Sequence, residues 1–157
     1  MTIQRRCITI KGVKPILPFQ HRFQYIYLFG SFSPITGDHF TLEFPLCNGD
    51  CFQQYLNELS LYKPDEFKIL ILDNGAFHKT KALEVPKNIK LHFLPAYSPE
   101  LNPAEKMWRH LKDKLANTIF KTIKDLEDQI SIIYRELTDE TVHSITGWTI
   151  YKQCQGV

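Results

Sequence analysis

Two carboxylates stand where metal-dependent chemistry would place them. Asp73 directly follows the apolar run Phe67–Leu72 (FKILIL), and an acid at the carboxyl end of a buried strand sits where open α/β sheets bind their ligands. Asn74-Gly75 then turns the backbone sharply and keeps the carboxylate accessible. Asp-Asn-Gly is also a common turn, so the tripeptide alone fits a structural role equally well. Glu105 lies one turn into a helix opened by Asn102-Pro103. On a helical wheel with Leu101 at zero, Trp108, Leu111 and Leu115 fall between roughly 280° and 340° and Glu105 at about 40°. Glu105 is therefore expected to border the buried stripe, where it can reach a strand end. Its plainer role is a first-turn acid favoured by the helix dipole and paired with Arg109.

The elements that must position these residues read as follows. The connector Gly12–Gln20 leads into an aromatic, β-branched strand over Phe23–Phe32, the turn Ser33–Gly37, and a hairpin partner over Asp38–Phe44. Asn48 or Asp50 caps a helix reaching about Tyr62, with Phe52, Tyr55, Leu56 and Leu59 on one face. Phe67–Leu72 has the continuous apolar character of a strand buried on both faces. A second short strand, Ile89–Leu94, runs into the loop Pro95–Pro103. The helix from about Pro103 to Ala116 carries the stripe Leu101, Ala104, Trp108, Leu111 and Leu115. A last helix starts at Thr122, paired with Asp125 as a cap, and buries Ile123, Leu126, Ile130, Ile133 and Leu137. This order predicts an α/β fold with a mixed sheet, antiparallel first and parallel later.

Composition sets the bounds. The 157 residues are 43% hydrophobic and 23% charged, enough for one well-packed domain without extensive disorder. The net charge of +2 is too mild to argue for nucleic acid. Its distribution says more: residues 1–37 hold Arg5, Arg6, Lys11, Lys14 and Arg22, and the first acid is Asp38. A basic leading segment suits a polyanion, or is a solvated strand that happens to be basic. The four cysteines (Cys7, Cys47, Cys51, Cys154) form no C-x-x-C pair, and charge interrupts any signal core at the start. A cytoplasmic protein with reduced thiols is expected. His39, Cys47 and Cys51 lack the second paired cluster of a zinc site.

The combination of strand-Asp73-Asn74, His78, and the run Leu94-Pro-Ala-Tyr-Ser-Pro-Glu-Leu-Asn-Pro-Ala-Glu-Lys-Met-Trp108 closely resembles the DDE transposases of bacterial insertion sequences, relatives of the mariner group and retroviral integrases. The resemblance spans about residues 11 to 151, including the Phe-Gly-Ser-Phe-Ser-Pro-Ile-Thr-Gly hairpin and the late Ile-Thr-Gly-Trp148. It implies a ribonuclease H-like mixed sheet with flanking helices, in which three carboxylates hold two Mg²⁺ (or Mn²⁺) ions. It implies that Asp73 is the second carboxylate and Glu105 the third, and that DNA, as transposon ends and target, is the partner. Water attack would nick a strand, and the freed 3′-hydroxyl would join it to target DNA.

One feature departs from that pattern. The family's first Asp lies on the central strand, upstream of the hairpin, whereas no acid here precedes Asp38. The expectation is a single catalytic domain lacking its first strand and helix-turn-helix region, and inactive by itself. Gln4–Ile10 (QRRCITI) is the spare strand-like stretch expected to fill the gap; a strand donated by a second copy in a dimer, or direct closure, are the alternatives. Asn74 and His78 are candidates to orient Asp73 or touch a phosphate, although His78 reads first as a surface histidine. Asn102 is a candidate cap for the helix bearing Glu105, Tyr97 and Ser98 shape the loop, and Trp108 reads as core. Lys79, Lys81, Lys106, Arg109 and Lys112 flank both carboxylates and are candidates for DNA phosphates, each otherwise an ordinary solvated cation. A non-catalytic nucleic-acid-binding or assembly module is the competing function, and an unrelated hydrolase the third.

Overall fold

Alternating aromatic residues on either side of a tight turn build the first element of the computed structural model, which describes residue 11 and residues 25–75, 78, 83–96 and 98–147. Strands β1 (Tyr27–Phe32) and β2 (His39–Phe44) pair antiparallel, from Tyr27 opposite Phe44 to Phe32 opposite His39. Ser33 closes the turn: its N–H donates to the Asp38 carbonyl at 2.7 Å and its hydroxyl accepts from the Thr36 N–H at 3.1 Å. Gly37 takes a positive φ of 81° there, a conformation that costs an L side chain but not glycine.

Helix α1 (Gly49–Leu61) starts at Asn48, whose side chain accepts from the Cys51 N–H at 2.9 Å. Its apolar face buries Phe52, Tyr55, Leu56 and Leu59, the four residues whose spacing predicted it. Strands β3 (Lys68–Leu72) and β4 (Ile89–Phe93) pair parallel, from Lys68 opposite Ile89 to Leu72 opposite Phe93. Asn88 ties the start of β4 to the end of α1, accepting from the Ser60 hydroxyl at 2.6 Å and donating to the Ser60 carbonyl at 2.9 Å. The hairpin, α1 and the β3–β4 pair share one core of Phe29, Phe44, Phe52, Tyr55, Leu56, Leu59, Leu72 and Ile89. Phe29 is its hub, with ring centroids 5.1 Å from Phe44 and 5.8 Å from Tyr55, distances at which aromatic pairs attract.

The architecture is α/β, as expected, with two differences of detail. Among the described residues the strands form two separate two-stranded sheets, not one mixed sheet. And β3 is not covered on both faces: Leu72 is buried, but Phe67 and Ile69 are each 63% exposed. The period of two explains this. Leu70 and Leu72 turn toward the core shared with α1, which sends Ile69 to the opposite face. An unbroken apolar run cannot distinguish a strand covered twice from one covered once. The expected substitute strand Gln4–Ile10 lies outside the described residues, as do the connector 12–20 and Trp148.

Among the described residues, those within 26–107 and 138–147 form one unit, and those within 108–137 belong to another. In the first, α4 (Asp139–Thr146) is a helix the periodicity did not predict. It is short and polar, but Thr138 caps it by accepting from the Thr141 N–H at 3.2 Å, and Val142 and Thr146 are fully buried. In the second, α3 (Ile123–Arg135) opens with the expected reciprocal cap. Thr122 accepts from the Asp125 N–H at 3.1 Å, and the Asp125 carboxylate accepts from the Thr122 N–H at 2.8 Å. Ile130 and Ile133 are buried on α3; Leu137, expected on the same face, lies beyond the helix end and is buried all the same.

Helix α2 (Ala104–Leu115) begins in the first unit and continues into the second. Its most buried residue is Met107, only 1% exposed, with Pro103 and Leu111 four residues to either side. Trp108, expected in the stripe, is only half-buried. The buried face is thus rotated toward Met107, an unbranched side chain that fills irregular space, and Glu105 lies farther from it than expected, exposed to solvent.

Candidate functional site

The ladder of β3 and β4 runs one step past the strands, with the Leu94 N–H donating to the Leu72 carbonyl at 2.8 Å. Asp73 is the next residue along β3. Asn74 then turns back, its side-chain amide donating to the Leu94 carbonyl at 2.6 Å. This cross-link pins the turn to the outgoing chain of β4 and leaves the Asp73 side chain 65% exposed.

Two donors converge on one oxygen of Asp73. The Gly75 N–H reaches Oδ1 at 3.0 Å, and His78 Nε2 lies 3.3 Å from the same oxygen. His78 is not the surface histidine its sequence position suggested: it is 9% exposed. A short turn, closed by the His78 N–H on the Gly75 carbonyl at 3.1 Å, carries it inward. There its ring meets the buried Phe52 edge-on, centroids 4.5 Å apart and planes at 71°. Burial pushes the His78 pKa below the ordinary imidazole value, outweighing the upward pull of the Asp73 charge and hydrogen bond. Sequence reasoning identified Phe52 as a core residue of α1 but had no signal that its ring would seat a histidine 26 positions later.

Past β4, the chain reaches α2 through a short 3-10 turn over Pro99–Leu101, closed by the Leu101 N–H on the Ser98 carbonyl at 3.1 Å. Asn102 opens α2: its side-chain oxygen accepts from the Ala104 N–H at 3.0 Å and its carbonyl from the Glu105 N–H at 3.1 Å. Glu105 thus sits in the first turn of α2, where the exposed N–H groups favour an anion. Of the basic candidates, Lys106 is half-buried, Arg109 and Lys112 are exposed, and Lys79 and Lys81 lie outside the described residues, as does the loop residue Tyr97.

Asp38 belongs to a different cluster. Tyr62 and Lys63 each donate to one of its oxygens at 2.7 Å. Among the described residues, no three His, Cys, Asp or Glu side chains gather as a metal cluster. Cys47 and Cys51 are free thiols, Cys47 exposed. Burial, with Cys51 nearby, raises the Cys47 pKa, so neither position nor charge activates it as a nucleophile. No helix among the described residues is long and apolar enough to cross a membrane.

Comparison with known proteins bears on this arrangement. Residues 1–127 match the family described as DDE superfamily endonuclease. The chain is also 37% identical over 118 residues to the uncharacterized protein y4pE/y4sA of Sinorhizobium fredii (strain NBRC 101917 / NGR234), an alignment covering 74% of this chain and 87% of that one. No solved structure matches.

Proposed function

This chain belongs to the DDE superfamily endonucleases, and we propose that it carries part of a two-metal site for transposase-type cutting and joining of DNA, with Asp73 and Glu105 as its carboxylates. The observation that carries this reading is the Asp73 side chain, exposed at the end of β3 with its contacts gathered on Oδ1. The α/β elements are read as a ribonuclease H-like fold, in which β3 and β4 carry Asp73 and lead to the helix that bears Glu105.

The donor set suits hard cations. Both groups are carboxylates, both are exposed, and the contacts of Asp73 among the described residues fall on one of its two oxygens, which fits Mg²⁺ or Mn²⁺ better than a soft metal. Bound in a pair, such ions would stabilise the attacking and leaving oxygens of an in-line displacement at a DNA phosphodiester. The chain's own contribution is to hold two ligands in place: the Asn74 cross-link to Leu94 fixes the turn at Asp73, and Asn102 fixes the start of the helix that bears Glu105. Lys79, Lys81, Lys106, Arg109 and Lys112 are assigned to the DNA backbone, where they position the strand without reading its sequence.

This chain by itself is a weak or inactive nuclease in this reading. No acid precedes Asp38, and Asp38 already serves Tyr62 and Lys63, so two carboxylates must hold what three normally hold. The test is nicking of supercoiled plasmid by the purified chain in Mg²⁺ and in Mn²⁺, alongside Mn²⁺ binding. Expected are little or no nicking and Mn²⁺ binding that Asp73→Ala abolishes. Robust nicking lost in Asp73→Ala would overturn the incompleteness, and Mn²⁺ binding indifferent to both Asp73→Ala and Glu105→Gln would overturn the site.

A further inference from the structure

We propose that His78 is a positioning residue for Asp73: it holds Oδ1 from inside the protein so that Oδ2 is the oxygen turned out toward a divalent cation. This rests on the assignment of Asp73 above and concerns how its carboxylate is aimed. A carboxylate oxygen only accepts hydrogen bonds, so the contact of His78 Nε2 at 3.3 Å requires the proton on Nε2. The Gly75 N–H donates to the same oxygen at 3.0 Å, so both contacts fall on one oxygen and fix the plane in which the carboxylate lies. The Gly75 bond comes from Asp73's own turn and would form in an isolated Asp-Asn-Gly. The His78 bond is different, because its ring is anchored in the core.

That anchor is Phe52, on α1, with ring centroids 4.5 Å apart. Phe52 is among the most deeply buried side chains of the protein. An imidazole packed in this way has given up its rotamer freedom on folding, so holding Asp73 costs no further ordering when a cation arrives. Metal-binding carboxylates are commonly oriented by such outer hydrogen bonds, and losing one typically weakens metal affinity roughly 10- to 100-fold.

The experiment measures Mn²⁺ affinity of the full chain by electron paramagnetic resonance and the His78 ring tautomer by nitrogen-15 NMR without metal. His78→Phe keeps an aromatic edge against Phe52 but removes the donor, and it is expected to weaken Mn²⁺ binding roughly tenfold. His78→Gln offers an amide N–H near the place of Nε2 and is expected to recover part of that loss. The neutral ring is expected as the Nε2–H tautomer, with a resonance that shifts in Asp73→Asn. A folded His78→Phe that binds Mn²⁺ like the parent, or a ring protonated at Nδ1 alone, overturns the proposal. If Asp73→Asn and Glu105→Gln weaken Mn²⁺ binding but His78→Phe does not, the positioning role fails and the site stands. If none of the three alters binding, both fail.

Discussion

Tyr62 donates its phenolic hydrogen to Asp38 Oδ1 at 2.7 Å, while Lys63 donates to Oδ2 at the same distance. These bonds tie the turn of the β1–β2 hairpin to the end of α1, and they engage both oxygens of the first acid in the chain. Burial raises the Asp38 pKa, but the Lys63 and Tyr62 hydrogen bonds outweigh it and hold the carboxyl below its ordinary value of 3.8.

A depressed carboxyl pKa stabilises the fold above the unfolded value, and that stability is lost as pH falls through the lower folded value. The Asp38 contribution should therefore be complete at neutral pH and disappear in acid, below about pH 4. Tyr62→Phe removes one of the bonds responsible and should cost about 1 kcal/mol at pH 7 by denaturant unfolding. It should also raise the Asp38 titration midpoint seen by carbon-13 NMR. An unchanged midpoint would mean that Tyr62 does not hold the carboxylate in solution.

Gly37 should tolerate no side chain. A Cβ there would collide with the Asp139 backbone, and the positive φ of 81° adds strain of its own. Gly37→Ala should destabilise the protein by about 2–3 kcal/mol, seen as a lower thermal midpoint. A neutral result would show that the hairpin turn and the start of α4 do not meet as described.

The exposed face of β3 makes a third case. Ile69→Thr, on that face, should change stability by less than about 0.5 kcal/mol, whereas Leu56→Ala in the shared core should cost about 2–5 kcal/mol. A cost for Ile69→Thr comparable to that of Leu56→Ala would show that the face is covered.

What the sequence announced was what local chemistry decides. Asn48 and Thr122 cap their helices because a short polar side chain before an apolar-periodic segment has one favourable use. The hairpin was legible in its aromatic alternation and Gly37, and the parallel strands in their apolar runs. Less legible was what depends on partners distant in sequence. His78 is buried only because Phe52 offers its ring edge, and nothing in the segment from Asp73 to His78 records that. Ile69 looks like a core residue in a run that does not say which face is covered. Met107 displaced Trp108 from the centre of α2 because burial follows the neighbours, not size alone. Helix α4 escaped because its eight residues carry too few apolar positions to show a period; Thr138 with Asp139 and Glu140 behind it was its only announcement.

Asp73 and Glu105 must bind the same cation if they form one site, since ligand distances near about 2.1 Å leave no room for carboxylates more than about 8 Å apart. A double-mutant cycle on Mn²⁺ affinity decides it, using the full chain, Asp73→Asn, Glu105→Gln and the double variant. Each single change is expected to weaken binding at least about tenfold, and the double variant to bind scarcely worse than either, because one shared site is already lost. Losses that simply add, or a Glu105→Gln variant that binds Mn²⁺ as the parent does, would contradict a shared site.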